Sequence, residues 1–316
     1  MARFLLRRLV HAAVALWLVC TVTFAIVHAA PGGPALLADP KLSVEERTAI
    51  ARRLGVDRPL VEQYGRWLQR AVRGDLGRSF LYGTDVLATI GQRLPRSLLL
   101  AGCALLLSLA LALPLAARCA EHPGGRLDRL AGFASGVALA VPAFWLGLVA
   151  ILLVAVRWRL LPAGGAETIG APPGALDRLR HLILPSVVLA SASAAELFRH
   201  ARAQAAAMRG RPHVRTARAK GATPRAVRWR HVMRTALGPV ATLVGLQLPR
   251  LVGGAAITES VFAWPGMGRL GIEAALARDY PLVMAVTLVV AMGVLVASAI
   301  TDLAYVALDP RLEPDR

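Results

Sequence analysis

The chain has 316 residues, 56 % of them hydrophobic and 18 % charged, with a mean hydropathy of +0.55. That composition belongs to polytopic membrane proteins and excludes an ordinary soluble domain. The net charge of +18 is carried by arginine, since Lys41 and Lys220 are the only lysines; without any motif of a nucleic-acid-binding module no nucleic-acid partner is expected, and the arginines are expected in cytoplasmic loops instead.

Arg3, Arg7 and Arg8 precede an apolar run from Leu9 to Ala30. A signal peptide would also start with charge and end in an AxA-like site, here near His28-Ala29-Ala30. The run exceeds a usual leader core and can cross about 30 Å of hydrocarbon at about 1.5 Å per residue. Residues 1–30 are therefore read as the N-terminal segment and transmembrane helix 1, entering from the cytoplasm. Residues 31–96 read as a helical extracytoplasmic insertion. Within it Ser43 and Glu46 form a capping box, opening a helix that ends near Gly55. Pro59 opens a second helix, closed by Gly74, and GDLGRSF (74–80) follows as a turn. Too little apolar residue is present for an independent core, so this segment should lie on the membrane part or on a partner.

Residues 97–308 read as the membrane core. The second span is Ser97 to Ala117, followed by a short loop, 118–129. The third runs from Leu130 to Val156, with a kink at Pro142, where the helical ladder loses a donor. The fourth runs from His181 to Phe198 and the fifth from Leu237 to Phe262. A loop, 263–280, precedes the sixth, Pro281 to Leu308, and residues 309–316 form a cytoplasmic tail. Segments 1–8, 118–129, 199–234 and 309–316 hold nineteen lysines and arginines, against six in 157–180 and 263–280. Positive residues collect on the cytoplasmic side. The fold class is thus all-α, a polytopic membrane protein with six transmembrane helices and both termini cytoplasmic.

The basic segment 199–236 carries the most specific local pattern. RTARAKGATPRAV (215–227) reads as two short helices joined at Gly221, a residue suited to the left-handed conformation at a helix end. Thr223 is the N-cap of the second helix and Pro224 its first residue. Elsewhere the chemistry of enzymes is missing. Lys41 precedes Leu42 and Lys220 precedes Gly221, so no GxxxxGK[ST] phosphate loop exists. The three cysteines, Cys20, Cys103 and Cys119, have no metal-ligand spacing. No cofactor, metal or catalytic residue is expected. Ionisable groups in or at the edge of spans are Glu196, Arg250, Glu259 and Asp302, and such groups often face a path or pair with one another.

TARAKGA (216–222) with RHVMRTALGPV (230–240) resembles the cytoplasmic EAA loop of ABC importer permeases. RFLLRRL (3–9) with APGGPA (30–35), GDLGRSF (74–80), VPAFWLGL (141–148), ESVFAWPGMGRL (259–270) with ARDYP (277–281), and LDPR (308–311) resemble the B-type permease subunit of dipeptide, oligopeptide and nickel importers. The resemblance implies a multi-pass inner-membrane subunit paired with a homologous second permease. It implies two cytoplasmic ATPase subunits on the loops and an extracytoplasmic solute-binding protein at the outer mouth. Arg215, Thr216, Ala217, Arg218, Ala219, Gly221, Thr223 and Pro224 would then form the ATPase-coupling loop, the small residues permitting close seating. Arg215 stands where the family carries its glutamate, and APGGP has glycine where aspartate is common. The alternatives are the same architecture importing nickel or another small solute, a stand-alone carrier or channel, and a membrane scaffold.

Overall fold

The computed structural model describes residues 2–30, 33–38, 41–170, 172 and 174–308; the side chains of 2–7, 36, 38, 237–239, 241, 242, 246, 248–254 and 302–308 fall outside that description. The tail 309–316 and the side chains of Arg250 and Asp302 therefore lie outside the described residues. Among these residues there is no β-strand, only an isolated bridge between Arg78 and Asp85. The helices are α1 (Ala2–Ala29), α2 (Val44–Leu54), α3 (Leu60–Val72), α4 (Val86–Cys119), α5 (Arg126–Ala140), α6 (Ala143–Ala150), α7 (Ala175–Met208), α8 (Pro212–Ala219), α9 (Pro224–Ala226), α10 (Arg234–Val261), α11 (Met267–Leu276) and α12 (Tyr280–Leu308). π-helical turns extend α6 over Ile151–Arg157 and α9 over Val227–Met233.

Four described helical stretches are long and apolar enough to cross a membrane: Arg8–Ala29, Val86–Cys119, Ala175–Met208 and Tyr280–Thr301. The pair Arg126–Ala140 and Ala143–Arg157 makes a fifth if it is one span. Its two halves meet at 102°, so the expected kink at Pro142 is a break. Val141, constrained by the following proline, is extended at φ −81° and ψ 124°, and Pro142 restarts the helix as its N-cap. α10, 28 residues long, occupies the place of the expected fifth span. α4 starts at Val86 rather than Ser97 because the Asp85 carboxylate accepts the Ala88 N–H at 2.8 Å and caps the helix. α7 continues past Phe198 to Met208 through the alanine-rich ARAQAAAM, a strong helix former.

The chain divides into two compact units, one of Met1–Ser97 with Pro265–Leu295 and one of Leu98–Trp264 with Val296–Arg316. In the first unit the Ser43–Glu46 box is formed in both directions, and the Ser43 N–H holds the Glu46 carboxyl below its ordinary range. α2 ends at Gly55 with φ +71°. Thr21 Oγ1 and Tyr64 Oη lie 2.6 Å apart, tying α3 to α1. The core of the unit packs Leu76, Val86 and Ile90 against Met267, Leu270 and Leu282.

Three of the sequence blocks meet here. The Ala35 N–H donates to the Ala277 carbonyl at 3.1 Å. Asp279, fully buried, accepts from Ser79 Oγ at 2.5 Å and from the Leu81 N–H at 2.9 Å, and its other oxygen accepts from the Leu282 N–H at 3.2 Å. ARDYP thus caps α12 and fixes the turn that follows GDLGRSF.

In the second unit α7 packs on α5, α6 and α10. Gly147 of VPAFWLGL sits against ESVFAW: a β-carbon there would stand 3.0 Å from Val261 Cγ1 and 3.3 Å from Phe262 Cε2. The Gly165 N–H donates to the Phe262 carbonyl at 2.8 Å, and Trp264 is buried with Leu100 and Leu182. These two blocks therefore encode one close packing and one chain reversal.

Candidate functional site: the loop between α7 and α10

Local chemistry shapes this loop. Pro212 starts α8, where its missing N–H is no loss. The helix ends in a Schellman turn: the Ala222 N–H donates to the Ala217 carbonyl at 3.1 Å and the Gly221 N–H to the Arg218 carbonyl at 3.0 Å. Gly221 has φ +77°, as that turn requires. Thr223 then accepts the Ala226 N–H on Oγ1 at 3.3 Å, and Pro224 leads α9. The hinge and the restart expected from the sequence are both present.

The faces of α8 differ. Val214 and Ala217, three residues apart and so on one side of the helix, are both buried, and Val214 packs in a cluster with Ala117, Ala205, Val227 and Met233. Arg215, Thr216, Arg218, Ala219, Gly221, Thr223 and Pro224 are exposed. Ala217 therefore anchors the helix from inside, while the other seven form its outer edge.

Arg209 and Arg228 clamp the loop to the short connection between α4 and α5, and Arg202 of α7 pairs with Asp128 of α5. Arg228 makes a bidentate pair with Glu121, with oxygens at 2.7 and 2.6 Å. Arg202 forks onto the Asp128 carboxylate, which is 5 % exposed and also accepts the Gly124 N–H at 2.8 Å. Arg209 donates to the carbonyls of Ala120 and Glu121. Such planar, charge-assisted forks hold geometry as well as charge. A cavity of about 410 Å³ lies under the clamp, its lining including Glu121, Arg209, Arg218, Pro224 and Arg228. Sequence reading missed these pairs. The available cue was that Glu121 and Asp128 are the two acids of 118–129, facing a segment with eleven basic residues.

We expect a double-mutant cycle on Glu121→Gln and Arg228→Gln, read from thermal melting of the purified protein, to return a coupling of about 1 kcal/mol. Additive single effects would show that the pair holds nothing.

Of the expected path residues, Glu196 is half-buried in α7 and Glu259 is fully buried near the end of α10. The Glu259 carbonyl accepts the Trp264 N–H at 2.7 Å, within the chain reversal. Among the described residues no cluster of histidine, cysteine and carboxylate could hold a metal ion.

The fold is that of a helical polytopic membrane protein with an exposed helix pair in a basic loop. Residues 112–314 match the family described as binding-protein-dependent transport system inner membrane component, and residues 1–101 match its N-terminal counterpart. The chain belongs to this family and is a permease subunit of a binding-protein-dependent ABC importer. It is 38 % identical to the oligopeptide transport system permease protein AppB of Bacillus subtilis, over 99 % of this chain and 100 % of that one. It is 32 % identical to the dipeptide transport system permease protein DppB of Escherichia coli, over 99 % of each. At 32 % identity, over 99 % of each, it also matches the glutathione transport system permease protein GsiC of Escherichia coli. Among solved structures it resembles the MetNI methionine ABC transporter in inward-facing conformations, with a TM-score of 0.56 at 18 % identity, covering 71 % of this chain and 97 % of that one.

Proposed function

We propose that the chain forms half of the translocation path of a bacterial inner-membrane importer for short peptides. A homologous second permease supplies the other half, and an extracytoplasmic binding protein delivers substrate. Two cytoplasmic ATPase subunits seat on the loops of the pair. Six spans with both termini inside place the loop between α7 and α10 in the cytoplasm. Peptide as substrate is supported by the full-length likeness to oligopeptide and dipeptide permeases.

The observation that carries the coupling role is the split of α8 into an anchored face and a free edge. Val214 packs it onto the membrane part, with Ala217 buried on the same side. Arg215 and Arg218 stand exposed, where they reach acidic groups on a partner, while Thr216, Ala219 and Gly221 permit close approach. A push on that edge passes through the Arg228–Glu121 and Arg202–Asp128 clamps to α4, α5 and α7. By this route ATP hydrolysed in another subunit moves helices in this one. Glu196, Arg250, Glu259 and Asp302 are the candidates for polar positions along the path.

The substrate is tested by purifying the cognate binding protein and identifying what it retains. Short peptides are the expected ligand, with loss of labelled tripeptide uptake when this subunit is deleted. A retained metal chelate and unchanged peptide uptake would overturn the reading.

A further inference from the structure

The first unit contains a cavity of about 250 Å³ that the transport reading does not use. It is lined where α1 and α12 meet α2, α3 and the turn at 75–80. Five arginines contribute: Arg52, Arg53, Arg58, Arg66 and Arg70. Asp75 is the one carboxylate in the lining, and one of its oxygens accepts the Gly77 N–H. Glu62, outside the lining, is shared by Arg58 at 2.9 Å and Arg66 at 2.7 Å. Even with both acids counted the site keeps an excess of three positive charges. Arg52 and Arg53 sit in the last turn of α2, where a helix end favours cations. That accounts for their place in sequence but not for their convergence with Arg66 and Arg70 of α3.

Aromatic side chains share the lining. Phe24, His28, Trp67, Phe80 and Tyr280 surround the charges. Several of their rings touch, His28 to Phe24 at 3.9 Å and to Tyr280 at 4.4 Å between centroids. His28 Nδ1 donates to the Phe24 carbonyl at 2.9 Å, while buried His28 Nε2 and Trp67 Nε1 have no hydrogen-bond partner among the described residues.

The location selects the group. Phe24 and His28 lie at the far end of the α1 span, and Tyr280 and Met284 at the start of the α12 span. Aromatic rings with arginines at a span end are suited to lipid headgroup depth.

We propose that this cavity is an oxyanion site and that its occupant is the phosphate of an anionic phospholipid headgroup, held by Arg53, Arg66 and Arg70. The inference does not depend on which substrate the importer carries. Neither Arg53 nor Arg70 has a carboxylate partner among the described residues, so their removal breaks no ion pair of the fold.

The test is native mass spectrometry of the full-length chain in detergent, titrated separately with phosphatidylglycerol, phosphatidylcholine and inorganic phosphate. Phosphatidylglycerol is expected to bind about tenfold more tightly than phosphatidylcholine, whose ammonium meets the arginines. Arg53→Gln with Arg70→Gln should remove that preference while leaving the lipid-free melting temperature unchanged. Arg70→Lys should keep most of it. Binding of inorganic phosphate without phosphatidylglycerol would overturn the lipid assignment. Equal binding of the two lipids, unmoved by the double substitution, would overturn the site.

Discussion

Replacing Gly221 by arginine is expected to abolish peptide uptake and substrate-stimulated ATP hydrolysis in the reconstituted importer, while the protein still inserts in the membrane. Two effects combine. At φ +77° a residue with a β-carbon is strained, by about 1–2 kcal/mol. That strain loosens the Schellman turn that sets the angle between α8 and α9. The site has room for a side chain within this subunit, since an added β-carbon would meet nothing within 4 Å. The new side chain therefore projects from the exposed edge, where the proposed ATPase contact would be made. Gly221→Asn separates the two effects, because asparagine tolerates the left-handed region; it should keep uptake within about tenfold of the parent, the equivalent of about 1.4 kcal/mol. Substrate-stimulated ATPase that survives Gly221→Arg would refute the coupling assignment. Loss of the protein from the membrane would show that Gly221 serves folding instead.

Helix ends were legible because they are local chemistry. Ser43 with Glu46, Gly55, Gly221 and Thr223-Pro224 each act within five residues, and each stands where the sequence places it. Long-range partners were not legible. Arg228 finds Glu121 across 107 residues and Arg202 finds Asp128 across 74. In a chain with 37 basic residues nothing local distinguishes a clamp from a solvated charge. Pro142 shows the intermediate case. Proline fixes where a helical ladder breaks, but packing against Val261 and Phe262 helps set how far the next helix turns away. Ala217 could have been read correctly. Val214 and Ala217 are the apolar pair at helical spacing in an otherwise polar segment, and that spacing marks the inward face.

The sequence blocks that identify the family prove to be contacts rather than a list of separate sites, and Asp279 is the strongest instance. Asp279→Ala is expected to destabilise the first unit by about 3 kcal/mol or more, since it leaves the buried Ser79 hydroxyl and the Leu81 and Leu282 N–H groups without their acceptor. Asp279→Asn should cost less. Its carbonyl oxygen still serves one side, and the amide can donate to Ser79 Oγ, though the Leu81 N–H then loses its partner. Because Asp279 joins the turn after GDLGRSF to the start of α12, the damage should appear first in the segment preceding α4. Trypsin cleavage at its arginines should accelerate in Asp279→Ala membranes, and the effects of Ser79→Ala and Asp279→Ala should be less than additive. Unchanged cleavage with additive effects would mean that the buried carboxylate holds the α12 end alone and the two blocks fold independently.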